Sequence, residues 1–280
     1  MPSQRTDYSL NESMLETYFY LRLGMGLLAL AFPILLWPLG AQFLGTSLQI
    51  SMSAYYHTDL RDVFVGILVA IGTFLILYKG FSRREDWALN IAGISAIGIA
   101  IFPTSPNWSL QGPAKSIFGC KPLCDAVCMK YTEKLDRTFQ FFIDNFWLHG
   151  ICVGIFFVAI FFVCKVCSKE TLETIECLTT RKLFERLYLI WGSLMLAIPA
   201  FIFVVGMFGP KLSTLFFDIN INIDHCKNPW TFFAEGAAVW SFSFFWLTKT
   251  FEIRINDADR KYPNRHAQKK KAAVNLVEGK

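Results

Sequence analysis

This 280-residue chain is short of charged side chains: Asp, Glu, Lys and Arg make up 18% of it, against roughly 25% in an ordinary soluble domain. Histidine is rarer still, at four residues. There is no Gly-rich phosphate loop, internal repeat or low-complexity tract, which argues against a phosphate-loop nucleotide site, a repeat array and a disordered chain. The apolar runs lack period-2 alternation, so membrane-barrel strands are excluded too. No cleavable signal peptide is expected, because the first apolar run begins near Tyr18, is too long for an h-region and has no small-residue cleavage site after it.

What is present in excess is apolar surface. Apolar residues reach 54% and Phe alone occurs 28 times. A soluble chain of this length has too small a core to hide that surface. Crossing ~30 Å of hydrocarbon takes about 20 residues at 1.5 Å each, and apolar runs of that order lie at 18–43, 62–78, 87–104, 139–164, 187–208 and 229–248. Helices satisfy every backbone amide internally, as lipid demands. Trp37, Trp87, Trp147, Trp191 and Trp230 lie near span ends, where interfacial anchors belong. The expected fold is therefore an all-α integral membrane protein. It is a six-helix transmembrane bundle in one domain over 1–250, with a cysteine-bearing outer loop at 105–138 and a basic tail at 251–280.

The charges orient that bundle. Of 27 Lys and Arg residues, 18 fall in the N-terminal segment, alternate loops and tail, 8 in the other loops, and Arg22 inside the first span. The positive-inside bias then places both termini in the cytoplasm. Cys120, Cys124, Cys128 and Cys226 all fall in loops on the outer side, where two disulfides with three connectivities are open to them. One bridge is expected to tie the 120–128 segment to Cys226. A zinc site using three of these cysteines with His225 is the alternative.

Polar residues inside lipid are costly and read as functional candidates. They collect at one depth. Ser53, His57, Arg61 and Asp62 lead into the second span, Asn145 and His149 lie in the outer half of the fourth, and Glu235 lies about two turns into the sixth. Asn145 and His149 share a helix face, which Cys152 extends. Gly150 with Gly154, and Ala92, Ala96 and Ala100, are small-residue surfaces that let helices approach closely. The expectation is that Asp62, His149 and Glu235 line one cavity open to the outer side, with His57 at its rim. The competing structural readings are helix capping for Asp62, interface snorkelling for Arg61 and hydrogen-bonded packing for His149.

The stretch Ser51-Met-Ser-Ala-Tyr-Tyr-His57-Thr-Asp-Leu-Arg61-Asp62-Val-Phe64-Val-Gly66 resembles a segment of uncharacterised bacterial six-span membrane proteins. Through Ile50-Ser51, Arg61, Phe64, the basic turn 79–84 and Trp147-Leu-His149 it is more distantly similar to the damage-regulated autophagy modulator and GPI-anchor-remodelling family. The resemblance covers 49–102 and 146–162 and implies six spans; the long loop 105–138 departs from both groups. Ser53-x-x-x-His57 also resembles the alkaline-ceramidase-like superfamily of membrane zinc hydrolases. Its His-x-x-x-His pair in the last span has no counterpart among His57, His149, His225 and His266. Zinc would need His57, His149 and an acid, Asp62 or Glu235.

Three functions follow. The first is binding or remodelling of a lipid headgroup in an outer-leaflet polar pocket, with His149 and Glu235 as base and partner, Asp62 beside them, and Ser53, His57, Asn145 and Arg61 holding substrate, Arg61 through a phosphate. As an enzyme this would be a lipid hydrolase or transferase. The second is a small proton- or cation-coupled transporter or channel, and the third a non-catalytic assembly or sensor subunit. Membrane lipids are the expected partners, with a protein docked on loop 105–138 as a further one, and nucleic acid is not expected. The membrane is a bacterial inner membrane for a bacterial chain, otherwise an endomembrane or plasma membrane.

Overall fold

The computed structural model describes residues 3–44, 48–49, 51–102, 147–173, 175, 177–216 and 230–256, and among them there are helices and turns but no strand. Helix α1 (Ser3–Ile34) runs through a π turn (Leu35–Leu39) into α2 (Gly40–Leu44). Pro38 sits in that π turn, where its missing N–H breaks the regular hydrogen-bond ladder. A 3-10 turn (Ser53–His57) precedes α3 (Arg61–Leu77) and α4 (Arg83–Ile101). Helix α5 (Trp147–Phe162) continues through a second π turn (Val163–Cys167) into α6 (Ser168–Leu172), followed by α7 (Leu178–Phe216) and α8 (Trp230–Asn256). The described part of each of the six apolar runs lies almost wholly in these helices; 139–146, Pro229 and the loop at 105–138 lie outside the described residues.

The long helices close into a ring in chain order: α1 packs on α3, α3 on α4, α4 on α5, α5 on α7, α7 on α8, and α8 back on α1. Phe156 of α5 and Phe242 of α8 meet across it, with ring centroids 5.5 Å apart. Apolar side chains also cover the outside, among them Leu77, Trp87, Ile94, Phe201 and Phe203. Among the described residues, three stretches are long and apolar enough to cross a membrane, rather than six: Ser13–Phe43, Trp147–Val166 and Leu178–Val204. Only 39%, 28% and 17% of their most apolar windows is buried, so most of each faces outward. The physical reasons for the shortfall are local. Helix α3 has only 17 residues, and α4 opens with Arg83, Arg84, Glu85 and Asp86.

Close packing falls partly where small residues are expected and partly elsewhere. Ala92 and Ala96 are fully buried. A Cβ at Gly150 or Gly154 would meet no described atom within 4 Å, so that pair is not the contact surface expected of it. Instead α5 approaches α4 through Cys152, whose Sγ would lie 2.6 Å from a Cβ on Gly98. Helices α3 and α4 cross backbone to backbone, where a Cβ on Gly72 would stand 2.7 Å from the Gly93 carbonyl oxygen. Gly72→Ala is therefore expected to cost about 1–3 kcal/mol through overpacking. Gly66→Ala on the same helix meets open space and should be neutral or slightly stabilising, since alanine is the better helix former. Thermal unfolding of the two purified variants side by side checks this; equal midpoints would refute the close crossing.

Candidate functional site

Between α2 and α3 the chain turns inward and plugs one end of the ring. Met52, Ala54, Tyr55 and Tyr56 are buried and anchor this plug. The Tyr55 ring packs 5.8 Å from Phe232 of α8, and Tyr56 packs 6.5 Å from Phe64 of α3. Within the plug the Ala54 amide donates to Ser51 Oγ at 3.1 Å, a local side-chain turn that favours a non-helical entry.

The plug delivers Ser53 to α5. Its Oγ lies 3.0 Å from His149 Nε2, and the other ring nitrogen, Nδ1, lies 2.7 Å from the carbonyl oxygen of Phe102. A carbonyl only accepts, so Nδ1 carries the proton and donates it. In the neutral ring Nε2 is then an acceptor for the Ser53 hydroxyl. Both Ser53 and His149 are buried. A hydroxyl held on an imidazole that a third group orients is the arrangement that activates a nucleophile. Glu235 reaches the plug from α8, accepting a hydrogen bond from the Met52 amide at 2.6 Å.

Ser53, His149 and Glu235 are thus gathered at adjacent residues of one turn. His149 is held by Ser53 and the Phe102 carbonyl, while Glu235 grips backbone. Asp62 is exposed on the first turn of α3, whereas Ser53 and His149 are buried. Arg61 is also exposed; its Nη2 donates to the Tyr56 hydroxyl at 3.0 Å and its guanidinium lies 4.7 Å from that ring's centre. His57 closes the 3-10 turn, and its side chain is not among those described. Asn145, Cys120, Cys124, Cys128 and Cys226 lie outside the described residues. Among the described residues no three His, Cys, Asp or Glu side chains gather as a metal site, and Cys152, Cys164 and Cys177 form no disulfide.

The other ends of α3, α4 and α8 hold a second polar centre. Glu85 of α4 and Lys249 of α8 form an ion pair with both side chains fully buried. The second carboxylate oxygen of Glu85 accepts from the Phe81 amide at 2.8 Å and so closes the α3–α4 turn. Glu252 is also fully buried, and its Oε2 accepts from the Tyr188 hydroxyl at 2.9 Å. Arg22, buried in α1, donates to the Tyr78 hydroxyl at 3.5 Å. The expected bundle ends at 250, one residue past Lys249. Helix α8 instead continues to Asn256 with Glu252 and Ile253 buried. One signal was legible: Ser82-x-x-Glu85 is a capping-box spacing, and Ser82 Oγ does accept from the Glu85 amide at 3.4 Å.

The fold and its sites define a class: a ring of apolar-surfaced helices with a buried serine–histidine pair at one end and a buried ion-pair network at the other. No family model, curated protein or solved structure matches the chain.

Proposed function

We propose that this chain is a six-span integral membrane protein that remodels ester-linked lipids, with Ser53 as nucleophile and His149 as its general base. The observation that carries this reading is the 3.0 Å contact between Ser53 Oγ and His149 Nε2, with Nδ1 fixed by the Phe102 carbonyl. His149 takes the Ser53 proton as Oγ attacks the acyl carbonyl, then returns it to the leaving alcohol. Water, or a second alcohol, releases the acyl group from Ser53. Glu235 positions the turn through the Met52 amide, and the exposed Arg61 guanidinium, three residues beyond Thr58 and held by Tyr56, suits a headgroup phosphate.

Six spans are supported by the six apolar runs and by the outward-facing apolar side chains of the ring. The charge distribution supports cytoplasmic termini, which puts Ser53 on the outer-leaflet side.

A fluorophosphonate probe tests the serine directly. Full-length protein in detergent is expected to be labelled at Ser53, and labelling should vanish in Ser53→Ala and in His149→Gln. A well-folded protein that takes no label, or a Ser53→Ala variant labelled as strongly as the parent, would sink the proposal.

A further inference from the structure

The buried network at the far end of α8 contains two acids that the lipid chemistry does not use, Glu85 in its ion pair and Glu252. Glu252 is 0% exposed, and its oxygens are unequally served. Oε2 meets Tyr188 at 2.9 Å and Thr171 at 3.3 Å. Oε1 is buried with no hydrogen-bond partner among the described residues. An ionised carboxylate would leave half its charge on that unsolvated oxygen, a heavy cost in a low-dielectric interior. A neutral carboxyl can present it as a carbonyl at much smaller cost.

The proton count points the same way. Thr171 Oγ lies 3.0 Å from the Ser168 carbonyl oxygen and 3.3 Å from Glu252 Oε2. A hydroxyl has one proton to donate. Shared between the Ser168 carbonyl and Glu252 Oε2, that proton gives the carboxylate only part of one hydrogen bond. Tyr188 still donates to the same oxygen.

We infer that Glu252 is a proton-binding site, holding a proton in the folded bundle and releasing it against the buried cations Lys249 and Arg22. Every packed element contributes a group to this balance: Arg22 from α1, Tyr78 at the end of α3, Glu85 from α4, Thr171 from α6, Tyr188 from α7 and Lys249 from α8, with the Cys164 thiol beside Tyr188. With Glu252 neutral the four ionisable partners Arg22, Lys249, Glu85 and Glu252 sum to one positive charge; with it ionised they sum to zero. Burial raises its pKa from the ordinary carboxyl value, against the Tyr188 hydrogen bond, the Lys249 charge, the Thr171 hydrogen bond and the Arg22 charge, which lower it. The folded state therefore binds this proton more tightly than the unfolded chain. Its contribution to stability is complete below the unfolded pKa and is lost as pH rises through the folded one.

Infrared spectroscopy of the full-length protein in phospholipid nanodiscs tests this, because a protonated carboxyl has its own carbonyl stretch. The expected result is a component of that band that disappears with rising pH in the parent and is absent from Glu252→Gln at every pH. In Tyr188→Phe, which removes a hydrogen bond that favours the anion, the same component should titrate about one pH unit higher. Parent and Glu252→Gln spectra that coincide in this region would overturn the inference. Where Glu252→Gln does not accumulate, Tyr188→Phe decides alone, and an unshifted titration overturns it.

Discussion

Replacing Glu85 by alanine is expected to destabilise the protein by about 3–5 kcal/mol, the usual cost of removing one partner of a buried ion pair. Lys249 is fully buried against it. Burial alone would push the Lys249 ammonium toward neutrality, but the Glu85 charge more than offsets this and holds its pKa above the ordinary lysine value. Without Glu85 the cation faces Trp246, Tyr78 and Glu252, and the Phe81 amide loses its bond to the carboxylate. Against a total folding stability of about 5–15 kcal/mol, such a loss is a large fraction. The double variant Glu85→Leu with Lys249→Met should recover most of it, because neither charge is then left uncompensated. Unfolding of the purified variants in detergent checks both. A Glu85→Ala protein as stable as its parent would show that the pair carries no such weight.

The second large effect concerns turnover. His149→Gln is expected to lower acyl release from phospholipid vesicles by about 10²–10⁴-fold, the range a positioned general base supplies. Glutamine can still donate to the Phe102 carbonyl and pair with Ser53, so yield and thermal midpoint should change little. His149→Ala should lose the same activity and also cost about 1–3 kcal/mol, because two hydrogen bonds of a buried side chain are removed, the one to the Ser53 hydroxyl among them. A His149→Gln variant that keeps full turnover would remove His149 from the chemistry and leave it a packing role.

How far the sequence foretold this depends on the kind of interaction. Ser53, His149 and Glu235 were legible as candidates because polar groups in long apolar runs are rare and because a shared depth could be counted at 1.5 Å per residue. Their pairing was not. Glu235 was the expected partner of His149, yet the backbone carbonyl of Phe102 takes the ring nitrogen, and backbone groups carry no signature in side-chain spacing. Asp62 shares the depth but is exposed on the helix surface, and which way a first-turn residue points is set by how that helix rotates against its neighbours.

The sequence by itself determined that the chain is helical and where its apolar segments lie, since both follow from local runs and their length. It also determined which few polar residues those segments carry. Tertiary structure alone decided that Ser53 meets His149 across 96 residues and that Glu85 meets Lys249 across 164. It alone buried Lys249, at the edge of the expected bundle, and Glu252, in the expected tail. Burial and hydrogen-bond partnership belong to pairs of surfaces brought together by ring closure, and no local pattern along one strand of chain encodes the rotation of its partner.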